Sequence, residues 1–515
     1  MLGPGGASQR NNARNGGALG QSVTAGVTPR FRGKLRAVRS ISRKREGDNH
    51  GASVAVSRSH VLAFVVVALI AAGCASGGNR GAGNDALRKA PKAKELPWTT
   101  AAREAAEAYD ANELDAYRVA LLKLYVLFSG HPDVVFKLAV AEARLGNLDA
   151  SLDWLRVYAG MGLTRDVAVD PDLAPVRDGK PDAFLAVATR LEDNAHAVSR
   201  SEAAFTLPSQ ELLAEDVAYD DESRTFYVSS VRKRKIVSAS ASGKIEDFVR
   251  DGQDGTWSIF GLAVDTRRHL LWAATAAVPQ AANYSSGDAG KTALVAYDLH
   301  TRKLVRRIEL RVDAPPPARH GLTGLTLTHA GGVIVSDTSA GTLYELGQGS
   351  ATLETLVGSG TFVSPRTPAV TPDDTRVVVA DYVRGIAVVD RASKKTTWLT
   401  HPRDVALSGI DGLYFAGPSI LLGVQNGTSP VRIVRLYLDD ALTRVERLEV
   451  AEQETPGLGM PARGVVVSSM FFFVASSGWD QLEDDGSVKP GGMRVAPAIW
   501  RLPALGGNEA RPRGP

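Results

Sequence analysis

The chain of 515 residues contains one cysteine, Cys74. A single thiol excludes an intrachain disulfide, so burial of apolar side chains must supply the stability, and a chain of this length can form more than one core. The sequence also lacks Gly-x-Ser-x-Gly, His-Glu-x-x-His, Cys-x-x-Cys and a phosphate-binding glycine loop. Serine-hydrolase, zinc-protease and nucleotide-dependent chemistry are therefore unsupported.

Long hydrophobic runs are also scarce. The run at 61–72 has twelve apolar residues, which is short of the roughly 20 that a membrane-spanning helix needs. It matches the core of a signal peptide, with Arg58 and His60 in front. The small residues before Cys74 resemble the bacterial lipobox, in which the cysteine thiol receives lipid. We therefore expect a lipoprotein signal at 58–74; the alternative is a short buried helix with a core cysteine.

Positive charge is concentrated before this signal. Residues 1–58 hold eleven Lys and Arg against two acidic residues, a net +9 in a chain of net +4, so the remainder carries −5. Little apolar periodicity accompanies this charge, which predicts a disordered basic segment at 1–57, and we expect translation to begin near Val54 or Val56. A basic arm for nucleic acid is the alternative. It would have to stay in the cytoplasm, so no nucleic-acid partner is expected.

The residues that follow Cys74 suggest a location in the cell envelope. Residues 75–97 are rich in Gly, Ala and Lys and predict a flexible tether. Membrane lipid, attached through Cys74, is the expected partner, since more than one acyl chain makes anchoring stable. Ala75 stands where lipoproteins of the inner membrane commonly have Asp. In a bacterium with two membranes we therefore expect the outer membrane, facing the periplasm.

Between residues 98 and 195, Ala, Leu and aromatic residues recur at the spacing of three to four that is typical of helices. The triplet Leu-Asp-Ala begins at Leu114 and again at Leu148, a period of 34 residues. This pattern resembles tetratricopeptide repeats, whose helix pairs recur at that period. It predicts a small helical domain that is either a peptide-binding groove or a spacer packed on its neighbour.

From Leu213 onward, short apolar runs alternate with Gly, Asp, Asn and Pro turns, which indicates β-strands. Six units each contain three such runs, at the period of propeller blades and with longer steps at two places. The predicted fold is therefore mainly β: a six-bladed β-propeller over 210–506, preceded by the small α-helical tetratricopeptide-like domain. The first runs of the six units end at Asp220, Asp265, Thr328, Thr371, Ala416 and Ser468.

The innermost strands of a propeller line one channel, so polar residues at the same end of each strand meet there. Glu215 and Asp411 occupy such positions and offer the oxygens that a divalent cation, above all Ca²⁺, prefers. Asn426 either adds an amide ligand or forms an Asn-Gly turn, and His320 is either a general base or a surface-loop histidine. The acidic run at 479–486 lacks calcium-loop spacing and is expected to be a solvated insertion.

The runs "EDVAYD", "GIDGLY" and "VSDT" followed by "GTLYEL" resemble the regucalcin and gluconolactonase family over about residues 210–505. The resemblance implies a propeller that binds one divalent metal and hydrolyses a lactone. Glu215 matches the family's Glu ligand. Asp411 matches its Asp ligand, which also serves as the base or orients the attacking water. Thr323 or Gly324, and Arg366 or Thr367, stand where the family has Asn ligands.

Two functions follow as hypotheses. The first is metal-dependent hydrolysis of a lactone or related ester, with Glu215, Asp411 and Asn426 as metal ligands and Asp411 and His320 as catalytic residues. The second is a non-catalytic lipoprotein whose helical repeats and propeller bind a protein, peptide or glycan. Oxygen atoms at 2.3–2.6 Å from a shared centre would favour the first hypothesis. A salt bridge from Arg366 or Arg463 to the two carboxylates would instead indicate a structural site.

Overall fold

The computed structural model describes residues 96–128, 130–310 and 320–506. The basic segment, the signal peptide with its Cys74 and all but the end of the tether lie outside those residues. Within the described ranges, no helix is both long and apolar enough to cross a membrane. The described chain begins with helices and continues as β-sheets.

Six α-helices occupy the region that the 34-residue period predicts to be helical. Three of them begin with proline, which suits a first helical turn because its missing N–H would have no partner there. Gly146, at φ +80°, takes the left-handed conformation that ends the third helix. The helices are α1 (Pro97–Asp110), α2 (Leu114–Leu127), α3 (Pro132–Arg144), α4 (Leu148–Gly160), α5 (Ala174–Gly179) and α6 (Pro181–Asp193).

Consecutive helices pack as hairpins around buried Ala, Leu and aromatic side chains. Leu121, Leu124 and Leu138 join α1, α2 and α3, and Leu152 and Leu155 lie in a second cluster that reaches α6. Burial of each such leucine contributes roughly 2 kcal/mol. The helical domain is thus present, while its assignment to the tetratricopeptide class stays a prediction.

The rest of the described chain forms six four-stranded antiparallel sheets. Their innermost strands contact one another in ring order, and the last contacts the first, which makes the sheets six propeller blades. The mainly β, six-bladed fold is therefore confirmed. From the inside outward, blade 1 is β2 (Ala214–Asp220), β3 (Thr225–Ser230), β4 (Lys235–Ser240) and β5 (Ile245–Val249); blade 2 is β6 (Ser258–Asp265), β7 (Leu270–Ala276), β8 (Thr292–Asp298) and β9 (Leu304–Glu309). Blade 3 is β10 (Leu322–Leu327), β11 (Val333–Asp337), β12 (Thr342–Leu346) and β13 (Glu354–Val357); blade 4 is β14 (Ala369–Val370), β15 (Arg376–Asp381), β16 (Gly385–Asp390) and β17 (Thr396–Trp398). Blade 5 is β18 (Ile410–Gly417), β19 (Ile420–Gln425), β20 (Arg432–Leu438) and β21 (Val445–Gln453); blade 6 is β22 (Gly464–Val467), β23 (Met470–Val474), β24 (Ala498–Pro503) and β1 (Glu202–Thr206).

Blade 6 joins the two ends of the propeller sequence. Its outermost strand, β1, comes first along the chain and pairs antiparallel with β24, so that Glu202 lies opposite Arg501. The propeller therefore starts before residue 210, the boundary expected from sequence. Most of β1 is exposed or half-buried, and such an outermost strand lacks the apolar run that marks the inner strands.

The innermost strands of neighbouring blades nearly touch beside the axis. A Cβ added to Gly324 would lie 2.6 Å from the Cα of Thr367, and one added to Gly261 would lie 2.6 Å from the carbonyl oxygen of Thr323. The Thr367 N–H donates to the Asp411 carbonyl at 3.3 Å, which joins blades 4 and 5 directly. Glycine is needed at these positions because any side chain would collide with a neighbouring backbone. The channel is consequently narrow at this level.

The end of the propeller at which the innermost strands begin is called the mouth. The second strand of each blade ends there, as the pairing of Ile410 with Gln425 illustrates. The helical domain packs on the mouth side of blades 4 and 5. Arg384, between β15 and β16, donates from Nε to the Leu127 carbonyl at 3.2 Å, and buried Arg432 donates from Nη1 to the Met161 carbonyl at 3.1 Å.

Two long connections rim the opposite side of the mouth. One runs from β7 to β8 in blade 2, and the other runs from β23 to β24 in blade 6. They meet where the Gln280 side chain donates to the Asp484 carbonyl at 2.8 Å. The first connection accounts for much of the longer step between Asp265 and Thr328, and together the two bring residues far apart in sequence to the same opening.

Candidate functional site

Arg463 lies at the centre of the mouth, just before β22. Its side chain is 0 % exposed. Nη2 is 3.5 Å from Oε1 of Glu215, Nε is 3.5 Å from Oδ2 of Asp411, and Nη1 donates to the carbonyl oxygen of Thr323 at 2.6 Å. One guanidinium from blade 6 thus contacts blades 1, 3 and 5. The two carboxylates predicted to converge at the channel do converge, and both face this arginine.

The charges of this cluster shift one another's pKa. Burial by itself would lower the pKa of Arg463, but the charges of Asp411 and Glu215 outweigh it and raise that pKa. Burial and the charge of Asp411 raise the pKa of Glu215, against the opposing effect of Arg463. Burial also raises the pKa of Asp216 to about 8. At neutral pH the Asp216 carboxyl is therefore mostly protonated, whereas Arg463 keeps its charge.

Trp479 closes the cluster from the blade 6 connection. Its Nε1–H donates to Oε2 of Glu215 at 2.6 Å, and its ring stacks on Phe260 with the centroids 6.5 Å apart. The run at 479–486, expected to be a solvated insertion, therefore begins with a side chain that folds back over the channel. The sequence signal for this contact is a tryptophan that follows a glycine within a long connection between two strands.

Arg366, at the start of blade 4, lies further out than Arg463. Its Nη1 is 3.4 Å from Oδ1 of Asp411, and its guanidinium lies 4.2 Å from the centre of the Tyr382 ring. The Tyr382 hydroxyl donates to Oδ1 of Asn426 at 3.0 Å, and Nδ2 of Asn426 donates to the Pro461 carbonyl at 2.9 Å. Burial raises the pKa of Tyr382 to about 12, so its hydroxyl remains a donor.

His320 belongs to a separate pair in blade 3. Its Nδ1 is 2.5 Å from Oδ2 of Asp337, whose other oxygen accepts from the Gly321 N–H at 2.9 Å and the Ala340 N–H at 3.0 Å. The histidine side chain is 11 % exposed, so the surface-loop interpretation does not describe it. Within the described residues, no hydrogen bond or ion pair joins His320 to Glu215 or Asp411.

The donors around the channel do not fit a divalent cation in this arrangement. Glu215 and Asp411 already face the positive charge of Arg463, and a cation between them would meet that charge at close range. The Asn426 amide is engaged by Tyr382 and the Pro461 carbonyl. Among the residues that the structure describes, no three His, Cys, Asp or Glu side chains are arranged to hold a metal. The Ca²⁺ site with Glu215, Asp411 and Asn426 stays a prediction.

Fold and site together define a six-bladed β-propeller with a charge-balanced cluster at a narrow channel mouth, rimmed by a helical domain. No protein-family model matches the chain, and no curated protein matches it.

Several solved structures resemble its fold. A gluconolactonase from Xanthomonas campestris is 14% identical, with a TM-score of 0.38, over 60% of this chain and 97% of that chain. The calcium-binding protein regucalcin from Agrobacterium tumefaciens is 15% identical, with a TM-score of 0.40, over 58% and 93%. Virginiamycin B lyase from Staphylococcus aureus is 11% identical, with a TM-score of 0.39, over 58% and 97%. At these values the likeness concerns the fold alone.

Proposed function

We propose that the protein is a non-catalytic binding propeller of the cell envelope, anchored by lipid on Cys74. One observation carries this proposal: the Arg463 guanidinium lies between Glu215 and Asp411. A metal-dependent hydrolase would need those carboxylates free to hold its cation. An arginine keeps its charge at every physiological pH, so a change in pH does not free the two carboxylates from the guanidinium.

The surroundings of the cluster suit a binding role. Tyr382 and Trp479 are only half-buried at the mouth, and Arg366 is 22 % exposed beside them. Aromatic faces next to planar polar groups are common in sites that bind peptides or glycans. The connection that carries Tyr382 is also held by the helical domain through Arg384. Helices and propeller therefore supply one continuous surface around the opening.

Hydrolysis of a lactone or related ester is the second candidate, and the His320–Asp337 pair favours it. A carboxylate 2.5 Å from Nδ1 orients the imidazole, as in sites where histidine acts as a general base. This chemistry would use blade 3 and would not need the carboxylates that Arg463 engages.

A hydrolysis assay on the full-length protein in detergent separates the two candidates. Glucono-1,5-lactone and phenyl acetate would be tested with and without Ca²⁺, on the unaltered protein and on Asp411→Asn and His320→Gln. We expect no turnover above the buffer rate in any sample. Turnover that Asp411→Asn removes would contradict the binding proposal and support the metal mechanism. Turnover that only His320→Gln removes would support the second candidate.

The binding role itself can be tested on peptide and glycan arrays. We expect ligands that bind the unaltered protein to be lost from the Arg366→Ala and Tyr382→Ala variants. Lys244→Ala, in the exposed turn between β4 and β5 on the opposite face, is the matched control and should retain them. Retention of every ligand by both mouth variants would contradict a role for this surface.

Anchoring is tested by fractionation of cells that express the full chain. We expect Cys74→Ser to move the protein from the membrane fraction to the soluble fraction, because it removes the thiol that would carry lipid. Ser76→Ala, two residues further on, is the control and should leave the protein with the membranes. An unchanged membrane fraction for Cys74→Ser would contradict the anchor.

A further inference from the structure

We propose that Arg463 holds the place of a divalent cation, and that the oxygens around it become a metal site once the guanidinium is removed. This inference goes beyond the proposed binding function and does not depend on which ligand the mouth takes. Arg463 is then the one side chain that prevents these oxygens from holding a divalent cation.

Three nitrogens of Arg463 each face an oxygen from a different blade. Nη2 faces Oε1 of Glu215, Nε faces Oδ2 of Asp411, and Nη1 bonds to the Thr323 carbonyl. Two carboxylates and one backbone carbonyl are the kinds of ligand that Ca²⁺ takes, with water completing a shell of six to eight oxygens. The ligands thus already converge, but on a guanidinium.

The charge of the two carboxylates favours replacement of the guanidinium by a divalent cation. The Arg463 side chain is fully buried, and its removal would leave two carboxylates facing each other without a positive charge between them. An uncompensated buried charge is strongly destabilising. A divalent cation that exchanges part of its water for these oxygens occupies the place of the guanidinium and supplies the missing charge.

Two neighbours limit the strength of such a site. Arg366 stays 3.4 Å from Asp411, and Trp479 keeps one oxygen of Glu215 occupied. We therefore expect a dissociation constant of about 10⁻⁴–10⁻³ M for Ca²⁺, at the weak end of protein sites. Replacing Arg366 as well should tighten binding by roughly tenfold, because one competing charge is removed.

Terbium luminescence tests this proposal on the full-length protein in detergent. Tb³⁺ is bound by the same oxygen ligands as Ca²⁺, and Trp479 lies against Glu215, where it would sensitise the ion. We expect no sensitised emission from the unaltered protein and emission from Arg463→Met that Ca²⁺ displaces. Adding Asp411→Asn should weaken binding at least tenfold. Trp479→Phe in the Arg463→Met background should remove the emission while the heat of Ca²⁺ binding persists.

Equal emission from the unaltered protein and from Arg463→Met would overturn the proposal, and so would emission that Asp411→Asn leaves unchanged. Arg463→Met alone could fail to fold, since its carboxylates would be uncompensated. In that case about 10 mM Ca²⁺, above the expected dissociation constant, should restore the native circular dichroism spectrum. Failure to restore it would also overturn the proposal. The hydrolysis assay above is independent of every one of these outcomes.

Discussion

Asp216 should govern much of the pH dependence of stability between pH 6 and pH 8. Its carboxyl is buried beside Glu215, and burial raises its pKa to about 8, although Arg463 and the N–H groups of Leu262 and Val217 oppose the rise. In the unfolded chain an aspartate has a pKa of about 3.9. Between these values the folded protein holds a proton that the unfolded chain releases.

The sign of the effect follows from this difference. The contribution of Asp216 to the free energy of unfolding is complete below about pH 4 and is lost as the pH rises through about 8. One extra proton in the folded state gives a slope of at most about 1.4 kcal/mol per pH unit. Between pH 6 and pH 8, where the folded group begins to ionise, the loss amounts to about 2 kcal/mol.

Urea unfolding followed by circular dichroism at pH 6, 7 and 8 measures this loss. Asp216→Asn should be less stable at pH 6 by about 1–3 kcal/mol, because an amide cannot accept from both the Val217 and the Leu262 N–H. That deficit should shrink by about 2 kcal/mol at pH 8, since Asn does not titrate.

Asp298→Asn is the control for this measurement. The backbone N–H and the hydroxyl of Thr301 lower the pKa of Asp298, so its variant should run parallel to the unaltered protein from pH 6 to pH 8. A deficit for Asp216→Asn that is equal at all three pH values would refute the reasoning.

Three further changes test the packing. Arg432→Met should lower the free energy of unfolding by about 2 kcal/mol, because two buried carbonyls lose their donor. It should also speed tryptic cleavage at Arg165, and an unchanged digestion rate would contradict this prediction. Gly324→Ala should cost about 1–3 kcal/mol in urea unfolding through overpacking, whereas Gly358→Ala, with nothing within 4 Å, should cost little. Leu138→Ala should lower the helical domain's stability by about 2–5 kcal/mol, measured by thermal melting at 222 nm.

The number of blades could be predicted because turn residues in the sequence separate the apolar strands of each blade. Strands such as β15 are buried apolar runs that end at aspartate, and turn residues separate them. The outermost strand β1 could not be predicted in the same way. Five residues with exposed and half-buried side chains carry little apolar signal, and its partner β24 lies near the other end of the described chain.

The candidate site was predictable in position but not in chemistry. Glu215 and Asp411 come together because strand starts meet at the axis of a propeller. The reach of Arg463 across that axis to the Thr323 carbonyl depends on packing between blades, which no local pattern records. The same holds for Trp479, whose indole turns back because Glu215 offers it a buried acceptor.

The pairing of β1 with β24 has a consequence for biosynthesis. Thr206 ends one strand and Ala498 begins the other, so β1 leaves the ribosome well before its partner strand exists. Until then blade 6 lacks the strand that joins β23 to β1, and both of these strands present unpaired edges to other chains. Completion of blade 6 is therefore a late event, and truncation before Ala498 should leave an aggregation-prone edge rather than a smaller propeller.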